Sequence, residues 1–375
     1  MTTYHQMIST VTEDGLEMKL VTREMPEPKP HEIVVKVEAT PINPSDHGVM
    51  FGWADISKAT SEGEGADRVL RAPLAPGGLS RMKARLGQDL PVGNEGAGVV
   101  VAAGSDEYAQ SLMGKRVAMM GGGMYGGYRA GPAMMALVLP ETASSRDGAS
   151  CFVNPLTALC FVETMRGEGH TALVHTAAAS NLGQMLNRIC QGEGIEIVNV
   201  VRKDSQVELL KGMGAKYVVN SSDDDFQMQL TDAIHKTGAT LGFDAIGGGD
   251  MASKILLAME AAAARTPGAY SIYGSIAHKQ VYSYGSLDFS PTVLNRAYGM
   301  AWGVGGWLLP NFLAKAGMET AVRLRKRVAD ELHTTFASHY TDEISLSDAL
   351  DADIVKRYNA KKTGEKFLIN PTLDL

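Results

Sequence analysis

Between Ala172 and Tyr273 the chain switches period in a way that few architectures accept. Apolar runs of strand length (Ala172–His175, Glu196–Val201, Tyr217–Val219, Thr240–Phe243, Ala269–Tyr273) alternate with amphipathic stretches of helix length (Leu182–Gln191, Gln206–Met213, Ala252–Ala264). Strand following helix following strand is the pattern of a doubly wound parallel sheet, so an α/β fold is expected for this stretch. The chain before about Ala149 reads differently. Glu32–Ala39 (EIVVKVEA) alternates apolar and polar residues as a half-buried strand does. Gly96–Ala103 and Lys115–Met120 are two further strand candidates, and Ala136–Leu139 stops at Pro140. Gly52–Pro91 dissolves into Gly, Pro, Arg and Asp and reads as a long surface excursion. From roughly Ser338 the chain returns to β-like and loop character, ending in Glu365–Asn370 (EKFLIN). The expected segments are 1–148, 149–337 and 338–375.

A chain of 375 residues is too long for one ordinary core, which favours two domains. Its net charge of −7 argues against nucleic acid or an anionic membrane as the main partner. The longest apolar run, Met300–Leu309, is too short and too rich in Gly and Trp to span a membrane. The three cysteines, Cys151, Cys160 and Cys190, show no CxxC or Cys/His spacing, so a structural metal site is not expected. Buried free thiols in a reducing compartment suit them better than a disulfide framework. No basic-then-apolar leader opens the chain, and the cytoplasm is the expected location.

Leu173–Gly183 (LVHTAAASNLG) is the most informative stretch. It places a strand, a run of small residues and a helix start in the order that lets backbone amides approach a pyrophosphate. Ala178 and Ser180 stand where the first two glycines of GxGxxG would be, and Gly183 remains. Ala177, Ala178, Ser180, Asn181 and Gly183 are therefore candidate cofactor contacts, although any tight strand-to-helix turn could carry such residues. The next strand ends in Arg202 and Lys203, and the first acid is Asp204. An acid there would meet free ribose hydroxyls, whereas a guanidinium suits a 2′-phosphate. NADPH is thus expected over NADH. The alternative is a solvated basic pair opening a helix.

With these residues in view, the chain resembles the medium-chain dehydrogenase/reductase superfamily. The resemblance rests on Gly93–Val101 (GNEGAGVVV), Gly114–Val117 (GKRV), Asn154–Ala158 (NPLTA), the turn Ala177–Gly183, Leu210–Asn220 (LKGMGAKYVVN) and Asp244–Gly247 (DAIG), in family order and spacing. It implies a GroES-like β-barrel catalytic domain in two sequence pieces, a Rossmann domain between them, and a cleft for cofactor and substrate. Two departures select a branch. The zinc alcohol dehydrogenases carry a Cys near the block that reads Asn43–Asp46 (NPSD) here, and a His where Asn94 stands beside Glu95. Without those ligands, and without a four-Cys lobe, zinc has no first shell. The chain is therefore similar to the zinc-independent NADPH:quinone oxidoreductases and the related 2-enoyl thioester reductases.

That resemblance implies roles for further residues. Asn43 and Thr157 would lie at the nicotinamide, the first with the alternative of a turn residue before Pro44 and the second of a buried helical Thr. Asp46 could equally cap a helix. Ser221 and Lys361 would contact the 2′-phosphate beside Arg202 and Lys203, with Lys362 able to replace Lys361. Asp244 would join the cofactor site, and Gly274 and Ser275 would form the turn under the nicotinamide. The enoyl-reductase branch offers a Tyr donor after the NPSD-like block, but Gly48–Trp53 (GVMFGW) has none. Tyr125 and Tyr128 suit packing roles. The expected reaction is hydride transfer from NADPH to a quinone or similar electron-poor small molecule. The alternatives are enone or 2-enoyl thioester reduction, or cofactor binding without turnover, as in recruited crystallins. A homodimer formed near Tyr282–Phe289 is implied. The basic insertion Ser57–Leu90 is read as a solvated loop, with a pocket for an anionic group as its alternative.

Overall fold

The computed structural model describes residues 2–266 and 271–374. The chain divides into two compact units, Met1–Val153 with Arg325–Leu375, and Asn154–Leu324.

In the first unit the alternating segment becomes the central strand Glu32–Pro41. It pairs antiparallel with Glu95–Ala103, Tyr128–Pro132 and, at its end, Phe367–Ile369. Ile33, Val35 and Val37 point to one face and share a core with Val100, Val117 and Met119. A second sheet is built on the hairpin Thr3–Val11 and Leu16–Glu24.

The segment read as a surface excursion belongs to that second sheet. Val69–Ala72 pairs with Leu16–Lys19 and with Thr60–Glu62. Ile56, Ala59, Leu70, Ala72 and Met82, spaced through a polar stretch, are buried against Met7, Val11, Leu16 and Met18. Four of its basic residues are committed too. Arg68 donates to the Ser347 carbonyl, Arg71 pairs with Glu17 and Glu62, Arg81 lies 4.1 Å over the Trp53 ring, and Arg85 donates to Ser9 Oγ. The expectation of a solvated basic loop is corrected accordingly.

The stretch after Ser338 also departs from expectation, because it contains the helix Ala352–Asn359. Asp351 caps it by accepting from the amides of Asp353 and Ile354. Ala352, Val355 and Tyr358 recur on one face and are buried.

The second unit holds a six-stranded parallel sheet of Ala172–Thr176, Glu196–Val201, Tyr217–Asn220, Leu241–Asp244, Lys279–Ser283 and Trp302–Gly306. Numbered along the chain, these strands lie in the order 3-2-1-4-5-6. The direction of the chain reverses beside strand 1, and the carboxyl ends of strands 1 and 4 flank that switch point. The fifth strand is Lys279–Ser283, whereas the sequence places it at Ala269–Tyr273. Ala269 and Tyr270 lie outside the described residues, and Ser271–Tyr273 lies outside any strand, with a turn at its end.

The polar start of the true strand hid it. Lys279 is 1% exposed and is paired with Glu260, 2.7 Å away, and with Ser275 Oγ. A buried ammonium so held is tolerated, whereas an unpaired one is not. Among the described residues no helix is long and apolar enough to cross a membrane. Glu260→Ala, which strands the Lys279 charge, is expected to lower unfolding free energy by about 3–5 kcal/mol. Chemical denaturation of the variant beside wild type measures this, and a loss below about 1 kcal/mol would show that the pair contributes no more than a surface ion pair.

Candidate active site

In the second unit the cofactor candidates gather at the carboxyl ends of strands 1 and 2. After Thr176 the chain turns through Ala177, whose φ is +51°, a left-handed conformation unusual for a residue with a Cβ. Ala178 is fully buried, and Ser180 Oγ caps the helix Asn181–Glu193 by accepting from the Gly183 amide. Gly183 is required by close approach, since a Cβ there would lie 2.2 Å from the Ala178 carbonyl oxygen. The turn therefore keeps the tight path that glycines usually permit, and it leaves a helix N-terminus at the end of strand 1.

Arg202 and Lys203 follow strand 2 and are exposed. The Ser221 amide donates to the Val201 carbonyl, and Ser222 Oγ donates to the Arg202 carbonyl. These bonds bring Ser221 beside the basic pair. Asp204 is occupied by Asn220 Nδ2 at 2.9 Å.

Asp244 behaves differently from expectation. It is 1% exposed, and its carboxylate accepts from Thr176 Oγ1 and from the amides of Ile246 and Gly247. It clamps the ends of strands 1 and 4 instead of reaching outward. Gly274 and Ser275 are also corrected. They precede strand 5, and Ser275 is bonded to Glu260. The turn that does follow strand 5 is Tyr284–Gly285–Ser286. It lies on the turn after strand 4, and a Cβ at Gly285 would meet the Ala245 carbonyl oxygen at 2.6 Å.

Thr157 is buried on the helix Val153–Gly167. One turn further on the same helix, Phe161 stacks on Phe243 at 3.8 Å and meets Tyr284 and Trp307 edge-on. His175, wholly buried in strand 1, hydrogen-bonds Tyr284 through Nε2 at 2.8 Å, and its Nδ1 has no partner among the described residues. Burial pushes its pKa down to about 3, so the ring is neutral.

In the first unit Asn43 is 2% exposed, and its Nδ2 donates to Glu95 Oε1 at 2.7 Å. Glu95 Oε2 accepts from the amides of Phe152 and Val153 at 2.8 and 2.9 Å. Asp46 occupies the N-cap position of the short helix His47–Met50 without a side-chain capping bond. Its carboxylate instead accepts from the amides of Asn43 and Asn94. Asn94 Nδ2 donates to Ser45 Oγ.

Burial raises the pKa of both acids, that of Asp46 to about 7, while donated hydrogen bonds oppose the shift. Lys366 supplies the nearby positive charge. Its Nζ donates to Ser150 Oγ and lies over Tyr340, and burial lowers it to about 8. Tyr125 is fully buried and donates to the Pro41 carbonyl, in keeping with the packing role expected of it. Lys361 is exposed in this unit, with φ +50°.

The residues missed in the sequence are Glu95, Lys366, His175 and Tyr284. A charged or polar side chain interrupting an otherwise apolar strand was the available signal for His175. Glu95 stood beside a position singled out for a different reason.

The comparisons agree with this geometry. A family model described as zinc-binding dehydrogenase matches residues 182–298, all within the second unit. Mouse prostaglandin reductase-3 is 27% identical over 159 residues, which is 42% of this chain and 41% of that protein. The chain thus matches about two fifths of that relative's length. The structure of a candidate NADPH:quinone reductase from Mesorhizobium loti superposes with a TM-score of 0.75 at 25% identity, covering 99% of this chain and 100% of that one. A mutant enoyl thioester reductase from Candida tropicalis shares the fold with a TM-score of 0.67 at 18% identity, covering 99% of this chain and 100% of that one.

The neutral His175 has a consequence for acid stability. Its folded pKa lies near 3 against an ordinary 6.5, so the unfolded chain takes up a proton first as pH falls. The stability it supplies is complete above about 6.5 and is lost progressively toward pH 3. His175→Gln, which cannot titrate, is expected to show a shallower loss over that interval in denaturation at a series of pH values. Parallel curves would show that His175 is not held neutral.

Proposed function

Because the chain belongs to the medium-chain dehydrogenase/reductase superfamily, we propose that it is a cytoplasmic, zinc-independent reductase that uses NADPH to reduce a quinone or a similar electron-poor small molecule. The observation that carries this reading is the carboxyl end of strands 1 and 2. A tight small-residue turn there closes on a helix N-terminus, with Arg202, Lys203 and Ser221 at its edge. The cradle fits a dinucleotide, since backbone and dipole meet the pyrophosphate and Arg202 meets a 2′-phosphate. The whole-chain likeness to a candidate NADPH:quinone reductase supports the same assignment. Zinc independence is supported by Asn43 and Asn94, whose amides donate to Glu95 and Ser45.

When bound, the cofactor supplies a hydride from its reduced nicotinamide, and the protein's task is to orient and to exclude water. This reading assigns Thr157 to holding the ring and the turn Tyr284–Ser286 to packing against it. Thr157 does not titrate, so it positions without donating a proton. A quinone fits a site without a dedicated acid, because water can protonate the reduced oxygen.

A homodimer is part of the proposal, at a different place from that first expected. Tyr282 belongs to strand 5, which is paired on both sides by strands 4 and 6 and cannot extend the sheet. The outer strand on that side is Trp302–Gly306, so a second copy would pair there. A dimer by light scattering at micromolar concentration is expected, and a monomer counts against it.

The decisive experiment follows NADPH oxidation with naphthoquinone-type acceptors, enones and enoyl-CoA in parallel. Quinones are expected to be reduced fastest. Preference for enoyl-CoA would favour the thioester reading, and binding without oxidation would favour a protein that holds the cofactor without turnover. Arg202→Ala is expected to raise KM for NADPH by roughly ten- to a hundredfold, the worth of a charge-assisted contact of about 1.5–3 kcal/mol. KM for NADH should stay nearly constant, and equal effects on both cofactors would make Arg202 structural.

A further inference from the structure

We propose that Asn220 is a positioning residue that sets the preference for NADPH over NADH, because it holds the Asp204 carboxylate at the end of strand 3 and so keeps Arg202 free for a 2′-phosphate. The inference rests on the reading above that Arg202 meets the 2′-phosphate. Every residue it uses lies in the second unit.

Strand pairing brings the acid and the amide together. Strands 2 and 3 run parallel with Val201 opposite Asn220, so the residues that follow strand 2 lie beside the end of strand 3. Asn220 is 6% exposed, and both branches of its side-chain amide are engaged. Its Oδ1 accepts from the Ser222 amide at 3.1 Å, and its Nδ2 donates to Asp204 Oδ1 at 2.9 Å. Neither partner tolerates the reverse, since a backbone N–H only donates and an ionised carboxylate only accepts. The Asn220 amide therefore has one orientation, and it gives Asp204 one place.

Asp204 opens the helix Asp204–Gly212 and is the first acid after strand 2. An acid in this stretch usually meets the ribose hydroxyls of a cofactor that lacks a 2′-phosphate. It also stands two residues from Arg202 and next to Lys203, and either cation would attract it. Yet among the described residues no carboxylate forms an ion pair with Arg202 or Lys203. Neutral donors hold the nearby acids instead. Asn220 holds Asp204, and Gln229 Nε2 donates to Asp223 Oδ2 at 3.2 Å and to Asp225 Oδ1 at 2.6 Å. A neutral donor satisfies a carboxylate without engaging a cation, which leaves the guanidinium for an incoming phosphate.

Loss of the amide releases the carboxylate. In Asn220→Ala no side chain at that position donates, and the cations nearest Asp204 in sequence are Arg202 and Lys203. A 2′-phosphate must then displace Asp204 from Arg202, at about the worth of an exposed ion pair. Ribose hydroxyls lose nothing by this change, and they gain Asp204 as an acceptor.

Equilibrium binding of 2′,5′-ADP beside 5′-AMP isolates the 2′-phosphate and needs no turnover. Wild-type protein is expected to favour 2′,5′-ADP, and Arg202→Ala to remove most of that preference. Asn220→Ala is expected to lower the preference roughly fivefold while the affinity for 5′-AMP is kept or raised. Adding Asp204→Asn should restore the wild-type ratio, because no carboxylate is left to compete. In the Arg202→Ala background, Asn220→Ala should cost nothing further, since a residue acting through Arg202 then has nothing left to act on. Asn220→Asp keeps the shape of the side chain but loses the donor, and it should lower the preference as well. Combined with Asp204→Asn it should recover, because the bond re-forms with donor and acceptor exchanged.

An unchanged ratio in both Asn220 variants overturns the proposal. So does an equal loss for both nucleotides, or a loss that Asp204→Asn leaves unrepaired, since either marks a structural role. A further measurement needs no folded variant at position 220. Asp204 is exposed, so Asp204→Asn keeps the fold. In nuclear magnetic resonance spectra of wild-type protein, one side-chain amide whose signals move on that substitution should carry a proton shifted downfield and slow to exchange. The absence of such an amide overturns the bond itself. Wild-type protein that binds both nucleotides equally, or a preference untouched by Arg202→Ala, overturns instead the reading on which the proposal rests.

Discussion

The first unit is organised around one buried carboxylate. Glu95 opens the strand Glu95–Ala103, yet its side chain reaches the loop at Asn43 and the backbone at Phe152 and Val153. Three segments far apart in sequence are thereby held at a single point of nearly full burial. Such a hub is costly if any partner is lost, because an ionised group out of water must find all its compensation in fixed donors. Asp46 repeats the device on a smaller scale, tying the Asn43 amide to that of Asn94. The loop carrying Asn43 is therefore over-determined. A loop held this way can present one side chain in one orientation, which a loop held by apolar contacts alone does less well.

In the second unit the corresponding task falls to neutral and anionic groups at strand ends. Thr176 donates to Asp244 and accepts from the Ala245 amide, so the carboxyl ends of strands 1 and 4 are joined by side-chain bonds beyond the ladder. The turn after strand 5 then packs on the turn after strand 4, where only a glycine fits at Gly285. Beneath them, Phe161, Phe243, Trp307, Tyr284 and His175 form an aromatic floor. Aromatic packing supplies rigidity at little side-chain entropy cost. The floor lies one helical turn from Thr157, so a rigid packed layer supports the part of the helix that carries it.

Much of this architecture was legible in the sequence wherever periodicity was clean. The strands Glu32–Pro41, Ala172–Thr176 and Glu196–Val201 bury mostly apolar residues, and their positions follow from that pattern. Strand 5 was misplaced because its first residues, Lys279 and Gln280, are polar, whereas Ala269–Tyr273 has the composition of a strand. Only the pairing of Lys279 with Glu260 makes the polar start admissible, and a partner 19 residues away cannot be read from local pattern. The error carried Gly274 and Ser275 with it. The helix Ala352–Asn359 is hard to read from sequence because its eight residues carry only three buried positions, Ala352, Val355 and Tyr358, too few turns for a clear period. The insertion was misjudged for the converse reason. Its composition is that of a loop, and five well-spaced apolar residues were enough to fold it into a sheet.

The choice of an amide at position 43 is consistent with the electrostatics of Glu95. A thiolate at position 43 would stand against the Glu95 carboxylate, and two adjacent buried anions require a cation of matching charge between or beside them. An amide at the same place reverses the interaction. It donates to the carboxylate, so the charge left to balance is borne by Glu95 and Asp46 alone, with Lys366 as their positive neighbour. Asn94, donating to Ser45, likewise adds a neutral donor where an imidazole would add a ligand. An amide at 43 is thus matched to the carboxylate at 95, with the ammonium at 366 as its positive neighbour.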